Sequence, residues 1–159
     1  DRAFIFSLVA QVYRFGIAPC RIEFEITETA VMTDIETSRE LLADLASAGF
    51  RIALDDFGSG YSSFEYLDEL PLDKVKLDKS FARKISRNAT LREIVSGIID
   101  LCRKLGLRCV VEGVETEEEL TILRQLNAEI IQGYLFGKPM TAEDATARIH
   151  EQEFRRLRA

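Results

Sequence analysis

The chain has 159 residues, 47% of them hydrophobic and 30% charged, which is the composition of one globular domain with a hydrophobic core. Its formal net charge of -6 argues against general electrostatic attraction to DNA, RNA or an anionic membrane surface. The single histidine, His150, falls in a terminal helical pattern and is expected on the surface, which leaves none for a catalytic triad or a histidine-rich metal site.

Short apolar runs predict five buried strands separated by helical patterns. The predicted strands span residues 22–28, 51–56, 74–78, 108–112 and 130–135. Capping patterns predict helix starts at Thr33, Thr90, Thr116 and Thr141, and three glycines predict helix ends at Gly16, Gly49 and Gly106. Strands that alternate with helices indicate an α/β protein with a parallel sheet, either doubly wound or a (β/α) barrel.

Polar residues on the predicted strands favour the barrel. Glu23 and Glu25 share one face of the first strand, and Lys74 and Lys76 share one face of the third. The opposite faces are apolar and suit packing against outer helices. Since barrel enzymes hold their chemistry at the C-terminal mouth of the strands, we expect a site there.

Two adjacent aspartates, Asp55 and Asp56, end the second strand. Neighbouring carboxylates repel each other and lose solvation, which costs several kcal/mol unless a cation compensates. Together with Glu25 and Glu112 they form an all-oxygen set, typical of sites for magnesium or manganese. A carboxylate shared by two ions would suit phosphodiester hydrolysis. The alternative is that some of the four are solvated strand ends or ion pairs with Lys76.

Lys76 and Gln132 each leave two interpretations open. Lys76 either forms a structural salt bridge to Asp56 or Asp78, or holds a nucleophilic water and stabilises charge on a phosphoryl oxygen. Gln132 either orients water or a base, or satisfies backbone groups. The sequence alone does not choose between these roles.

Five motifs occur in order along the chain. They are Glu25-Ile26-Thr27-Glu28, Asp55-Asp56-Phe57-Gly58-Ser59-Gly60-Tyr61-Ser62-Ser63, Lys76-Leu77-Asp78, Glu112-Gly113-Val114-Glu115 and Gln132-Gly133-Tyr134-Leu135-Phe136. In order and spacing they resemble the motifs of the EAL domain, a family of bacterial cyclic di-GMP phosphodiesterases. The resemblance covers nearly the whole chain. It implies a TIM-like (β/α)8 barrel that hydrolyses cyclic di-GMP to linear pGpG with two Mg²⁺ or Mn²⁺ ions.

The resemblance also implies roles for individual residues. Glu25 and Asp55 are similar to ligands of the first metal, and Asp55, Asp56 and Glu112 to ligands or water-positioning groups at the second. Lys76 and Gln132 resemble the catalytic lysine and glutamine, and a general-base role for Glu112 stays open. Glu28 resembles a glutamate that anchors the loop after the aspartates. Gly58, Ser59, Gly60 and Tyr61 belong to that loop and are similar to its substrate-side residues.

Two motifs of the family are absent from this chain. The early Glu-Ala-Leu and Asn-Leu-Ser motifs, each with a metal ligand, do not occur in residues 1–159. We therefore expect the five predicted strands to be the last five βα units of the eight-stranded barrel that the resemblance implies. We expect the complete domain to be catalytic and this portion alone to be inactive.

The alternatives to an enzyme are a receptor that binds cyclic di-GMP without cleaving it, and a dimerising regulatory module. The resemblance implies a homodimer formed through the loop after Asp56, and a sensor or diguanylate cyclase domain in the parent protein. Cys20, Cys102 and Cys109 follow no disulfide or zinc-site spacing. They are expected to act as small apolar residues in a cytoplasmic setting, including the cytoplasmic part of a membrane-anchored protein.

Overall fold

The computed structural model describes residues 2–60 and 64–156, in which strands and helices alternate. The strands are β1 (Glu23–Thr27), β2 (Arg51–Phe57), β3 (Lys74–Leu77), β4 (Arg108–Val111) and β5 (Ile130–Ile131). The helices are α1 (Arg2–Arg14), α2 (Glu28–Thr33), α3 (Ile35–Ser47), α4 (Lys79–Ile85), α5 (Ala89–Lys104), α6 (Glu117–Gln125) and α7 (Ala142–Arg156). Short 3₁₀ turns occur at Pro19–Arg21 and Phe64–Leu67.

The five strands form one parallel sheet in the order β1-β2-β3-β4-β5. Every strand pairs with its successor, so the order never reverses as it does in a doubly wound sheet. Because crossovers between parallel strands are right-handed, this order places the connecting helices on one face of the sheet. Between the two architectures that the sequence left open, the strand order favours the barrel.

The two faces of the sheet differ in chemistry, as the alternation of residues predicts. On the helix-covered face, side chains such as Leu54 and Val75 are fully buried. Each such side chain contributes about 1.5–3 kcal/mol by burial. The opposite face carries ion pairs, Glu23 with Lys74 among them. This polar face lies on the inner side of a barrel.

Four predicted strands agree with the structure to within one residue at each end, but the fifth was predicted too long. It ends at Ile131, and residues 133–136 form a turn closed by a hydrogen bond from the Phe136 N–H to the Gly133 carbonyl. The backbone of Val114 pairs with Gln132 and Leu135 on either side of Gly133. These long-range contacts bend the chain where apolar periodicity suggested a continuing strand.

The predicted helix ends are confirmed, whereas two of the predicted starts were wrong. Gly16, Gly49 and Gly106 have positive φ values and follow the ends of α1, α3 and α5. Thr116 and Glu119 form the expected capping box, and Thr141 accepts a hydrogen bond from the N–H of Asp144.

The caps of α3 and α5 are Asp34 and Asn88 in place of Thr33 and Thr90. Aspartate and asparagine are preferred over threonine as N-cap residues, and in both helices the cap is such a residue within two positions of the predicted threonine.

Among the described residues, none of the helices combines the length and apolar character that crossing a bilayer requires.

Candidate functional site

Lys76 is the centre of the polar face. This β3 side chain is only 5% exposed, and its Nζ lies 2.8 Å from Oε2 of Glu25, 3.0 Å from Oδ1 of Asp55 and 2.9 Å from Oε1 of Glu112. The three carboxylates come from β1, from β2 and from the residue after β4. Four neighbouring strands therefore converge on one ammonium group near their carboxyl ends.

The surroundings of Lys76 keep it charged. Burial by itself lowers the pKa of the ammonium, but the hydrogen bonds that it donates to Glu25, Glu112 and Asp55 outweigh that effect and raise the pKa above its ordinary value. A buried lysine paired with three acidic groups leaves the cluster with a net negative charge. Such a cluster attracts further positive charge.

Of the alternatives left open by the sequence, ion pairs between the acidic set and Lys76 are observed, but a salt bridge of Lys76 to Asp56 or Asp78 is not among the ion pairs of the described residues. Among the described residues, the ion pairs of Lys76 are with Glu25, Asp55 and Glu112. Asp78 instead begins α4, where its side chain accepts a hydrogen bond from the N–H of Ser80. The structural and the chemical interpretation of Lys76 are both compatible with its observed position.

Asp56 reaches the same cluster because the backbone of β2 is irregular. The pairing register between β2 and β3 shifts between Leu54 and Phe57, and Asp56 has a φ of 56°. Regular strand geometry would point Asp55 and Asp56 to opposite faces. The bulge and the left-handed residue bring both carboxylates together, and such strained positions are typical of functional sites.

The cluster has the donor chemistry of a divalent cation site. One carboxylate oxygen each from Asp55, Asp56 and Glu112 lies within 4.8 Å of the others. Asp55 and Glu112 are partly buried, with side chains 22% and 18% exposed. All-oxygen donors with a negative net charge fit Mg²⁺ or Mn²⁺. Glu25 joins the group through Lys76, its own side chain being 47% exposed.

Glu28 links the start of α2 to the loop after the aspartates. It is 4% exposed, and its Oε2 accepts a hydrogen bond from the Gly58 N–H at 3.1 Å. Its Oε1 accepts a hydrogen bond from the buried Tyr66 hydroxyl. The contact with Gly58 has the geometry that loop anchoring requires, and the anchoring role itself stays a prediction.

Residues Gly58, Ser59 and Gly60 continue from β2, with Ser59 and Gly60 exposed. The Ser59 N–H donates to the Asp56 carbonyl at 3.1 Å, so the chain turns immediately after the aspartates. Tyr61 lies outside the described residues.

Gln132 borders a cleft that also includes Glu112. The cleft has a volume of about 470 Å³. Basic and aromatic side chains line it beside the acidic cluster, namely Lys79, Arg83, Lys138 and Tyr134. The Nζ of Lys138 lies 5.8 Å from the centroid of the Tyr134 ring. A cleft with cations and an aromatic ring beside carboxylates has the chemistry to hold an anionic ligand that carries planar groups.

Sequence reasoning missed several residues that shape the site. Tyr66 supports Glu28 from 38 positions away along the chain, so no local pattern signals it. The basic residues of the cleft stand on α4 and on the segment after β5, where they read as solvated charges. Only their position beside Glu112 in the structure identifies them as residues of the site.

Comparison with known proteins places these features in a family. The family model described as "EAL domain" matches residues 1–139. A cyclic di-GMP phosphodiesterase of Pseudomonas aeruginosa, NbdA, is 45% identical over 125 residues, which are 79% of this chain and 16% of that protein. The chain spans 16 to 36% of the length of the curated relatives that it matches.

Solved structures agree in fold. The MucR phosphodiesterase of Pseudomonas aeruginosa, in complex with cyclic di-GMP, superposes with a TM-score of 0.83 at 38% identity, covering 89% of this chain and 57% of that one. BlrP1 of Klebsiella pneumoniae, in complex with manganese and cyclic di-GMP, gives a TM-score of 0.81 at 36% identity, covering 85% of this chain and 34% of that one. The five-stranded sheet therefore matches part of a larger α/β fold in each case.

Proposed function

The chain belongs to the EAL domain family, and we propose that the domain containing these residues hydrolyses cyclic di-GMP to pGpG with two divalent metal ions. The observation that carries the proposal is the cluster of carboxylates around Lys76 at the carboxyl ends of four strands. NbdA and MucR, whose names state this activity or substrate, support it by similarity.

The proposed reaction adds one water across a phosphodiester bond. The water oxygen bonds to phosphorus, the bond from phosphorus to the 3′ oxygen breaks, and the leaving oxygen gains a proton. Bound Mg²⁺ or Mn²⁺ would lower the pKa of the attacking water and neutralise charge on the phosphoryl oxygens. Asp55, Asp56 and Glu112 would hold these ions, with Glu25 as a further ligand.

The side chains of this chain supply the remaining functions. Lys76 stays protonated among its carboxylates and is placed to donate a hydrogen bond to the attacking water or to a phosphoryl oxygen. Glu112 is either a ligand or the base that accepts the water proton, and Gln132 would orient the water from the cleft side. The basic side chains of the cleft would bind the substrate phosphates.

Substitution of two proposed metal ligands, Asp55 and Glu112, tests the proposal. In the full-length protein, Asp55→Asn and Glu112→Gln should each lower the rate of cyclic di-GMP hydrolysis by at least about 100-fold, because each removes a charge that holds the metal. Chromatographic separation of pGpG from cyclic di-GMP measures the rate. Glu118→Gln removes an exposed carboxylate of α6 and should leave the rate unchanged.

The same assay separates the enzyme from a receptor. Hydrolysis that survives Asp55→Asn would contradict the proposal, and wild-type protein that binds cyclic di-GMP without turnover would favour the receptor. Dimerisation through the loop after Asp56, and the presence of a sensor or cyclase domain in the parent protein, stay predictions.

A further inference from the structure

The turn that follows the two aspartates rests on a phenylalanine of the neighbouring helix. A Cβ atom built on Gly58 would lie 2.4 Å from Cε2 and 2.5 Å from Cζ of Phe81. The edge of the Phe81 ring therefore packs directly against the Gly58 backbone, at a distance that admits no side chain. Phe81 is partly buried and also packs against the hydrophobic core.

The same turn is held from two other directions. The carboxylate of Glu28 accepts a hydrogen bond from the Gly58 N–H, and the Phe57 carbonyl accepts one from the N–H of Asp78 at 3.2 Å. Gly58 has a φ of 86°, so the backbone here is in a conformation that L side chains avoid. A carboxylate and a ring thus contact one glycine from separate elements.

The conformation of this turn determines where the Asp56 carboxylate lies. Asp56 is the first residue of this turn, two positions before Gly58, and its φ of 56° lies in the left-handed region that is uncommon for residues other than glycine. Its carbonyl accepts the hydrogen bond from Ser59 that closes the turn. If Gly58 were released, the backbone at Asp56 would be free to relax toward regular strand geometry and turn its carboxylate away from Asp55.

We propose that Phe81 is a positioning residue of the metal site: its ring holds Gly58 in place and so keeps the Asp56 carboxylate beside those of Asp55 and Glu112. The proposal rests on the proposed function, since it concerns the cation that these carboxylates bind. Phe81 does not contact the carboxylate cluster in this scheme. It acts through the backbone between Gly58 and Asp56.

A purely structural role predicts a different result. As a core residue of α4, Phe81 would contribute to stability alone, in the way that Ile85 does one turn further along the same helix with 0% exposure. Manganese affinity separates the two roles, because loss of core packing at Ile85 leaves the turn at Gly58 untouched. Isothermal titration of Mn²⁺ into the full-length protein without substrate measures this affinity directly.

The test compares Phe81→Leu and Phe81→Ala with Ile85→Ala. We expect both Phe81 variants to weaken Mn²⁺ binding by about 10-fold or more, the effect of removing a group that orients metal ligands. Ile85→Ala should lower the melting temperature about as much as the Phe81 variants do, but it should bind Mn²⁺ with wild-type affinity. If Phe81→Ala does not fold, Phe81→Leu keeps the comparison, since it retains most of the apolar volume and lacks the ring edge.

A second pair of variants tests the contact itself. Gly58→Ala places a methyl group into the ring and should weaken Mn²⁺ binding strongly. In the double variant Gly58→Ala/Phe81→Ala the clash with the ring is relieved, whereas the strain of an alanine at positive φ remains, so the two effects should fall short of additive. Additive losses would show that the two residues act independently and would contradict the proposal.

The outcomes distinguish this inference from the proposed function. Wild-type Mn²⁺ affinity in both Phe81 variants, with a lowered melting temperature, would overturn the positioning role while hydrolysis by the wild-type protein stood. Failure of the wild-type protein to hydrolyse cyclic di-GMP would overturn the proposed function, and the Mn²⁺ titrations would still decide the role of Phe81. A wild-type protein that binds no Mn²⁺ would overturn both.

Discussion

At the scale of single residues, the site is a problem of buried charge. Lys76 is almost fully buried, and an ammonium group in such a place is stable only beside opposite charges. Glu25, Asp55 and Glu112 provide them at 2.8–3.0 Å, and each of these carboxylates in turn depends on the ammonium to offset the repulsion of its neighbours. Lys76, for which the family resemblance implies a catalytic role, therefore also joins the carboxyl ends of neighbouring strands.

Removing this ammonium should make the fold depend on metal. Without divalent ions, Lys76→Met leaves three carboxylates facing one another and should lower the free energy of unfolding by about 3 kcal/mol. Excess Mn²⁺ should raise the melting temperature of Lys76→Met more than that of the wild type, because the cation replaces the lost charge.

Thermal unfolding in chelator and in Mn²⁺ measures both effects, and Lys104→Met, which removes an exposed lysine of α5, is the control. Equal melting temperatures for Lys76→Met and wild type in chelator would show that the ammonium is not needed to balance the cluster.

At the scale of secondary structure, α4 connects the parts of the site. It begins directly after β3, its residue Phe81 contacts the turn at Gly58, and the side chain of Lys79 packs closely against Gly113 after β4. The helix has only seven residues, so its stability depends on its first turn. Asp78 caps that turn by accepting a hydrogen bond from Ser80.

Loss of this cap should weaken the whole segment. Asp78→Ala should cost about 1 kcal/mol in the free energy of unfolding, whereas Asp78→Asn should retain most of the cap. Chemical denaturation of the full-length protein, followed at the transition of this domain, gives the difference. An Asp78→Ala variant as stable as the wild type would contradict the role of this cap.

The pH dependence gives an independent check on the cap. Burial raises the pKa of Asp78, but its hydrogen bonds with Ser80 outweigh this and hold the pKa below the ordinary value of 3.8. A carboxyl group whose pKa is lowered by folding stabilises the protein above its unfolded pKa, and this contribution disappears as the pH falls through the folded pKa. Asp78→Asn should therefore lose less stability than the wild type between pH 5 and pH 3.

At the scale of the whole molecule, close backbone contacts join the ends of neighbouring strands. A Cβ on Gly133 would lie 2.0 Å from the Val114 carbonyl oxygen, so the segment after β5 lies directly against the segment after β4. The backbone hydrogen bond from Val114 to the Gln132 carbonyl forms at the same place. Gln132 borders the cleft beside Glu112 because of this contact.

Two glycine substitutions should have opposite effects. Gly133→Ala forces backbone atoms apart and should lower the free energy of unfolding by about 1–3 kcal/mol, the usual cost of overpacking. Gly97→Ala, in the interior of α5 with open space around it, should raise it by up to about 1 kcal/mol through helix propensity. Denaturation curves for both variants test this contrast, and a tolerated Gly133→Ala would show that the contact at Val114 gives way easily.

Features of the fold that depend on residues close together in the sequence could mostly be predicted, whereas those that depend on distant residues could not. Strand positions, the alternation of faces and the glycine helix ends depend on neighbouring residues, and four of the five strands were predicted to within one residue at each end. The short β5 depends on backbone contacts with the distant Val114, and the caps at Asp34 and Asn88 depend on which of several nearby polar side chains occupies the N-cap. Local sequence patterns predicted neither.

The sequence by itself determined the alternation of strands and helices, the polar face and the acidic residues on it, because a repeat of two along a strand is a local property. Only the tertiary structure decided that Lys76 pairs with Glu25, Asp55 and Glu112, since such partners are chosen by the register of four strands. It also decided that Asp56 turns toward Asp55, against the alternation, because the bulge before Gly58 forms where the Glu28 carboxylate and the Phe81 ring, both distant in sequence, contact Gly58.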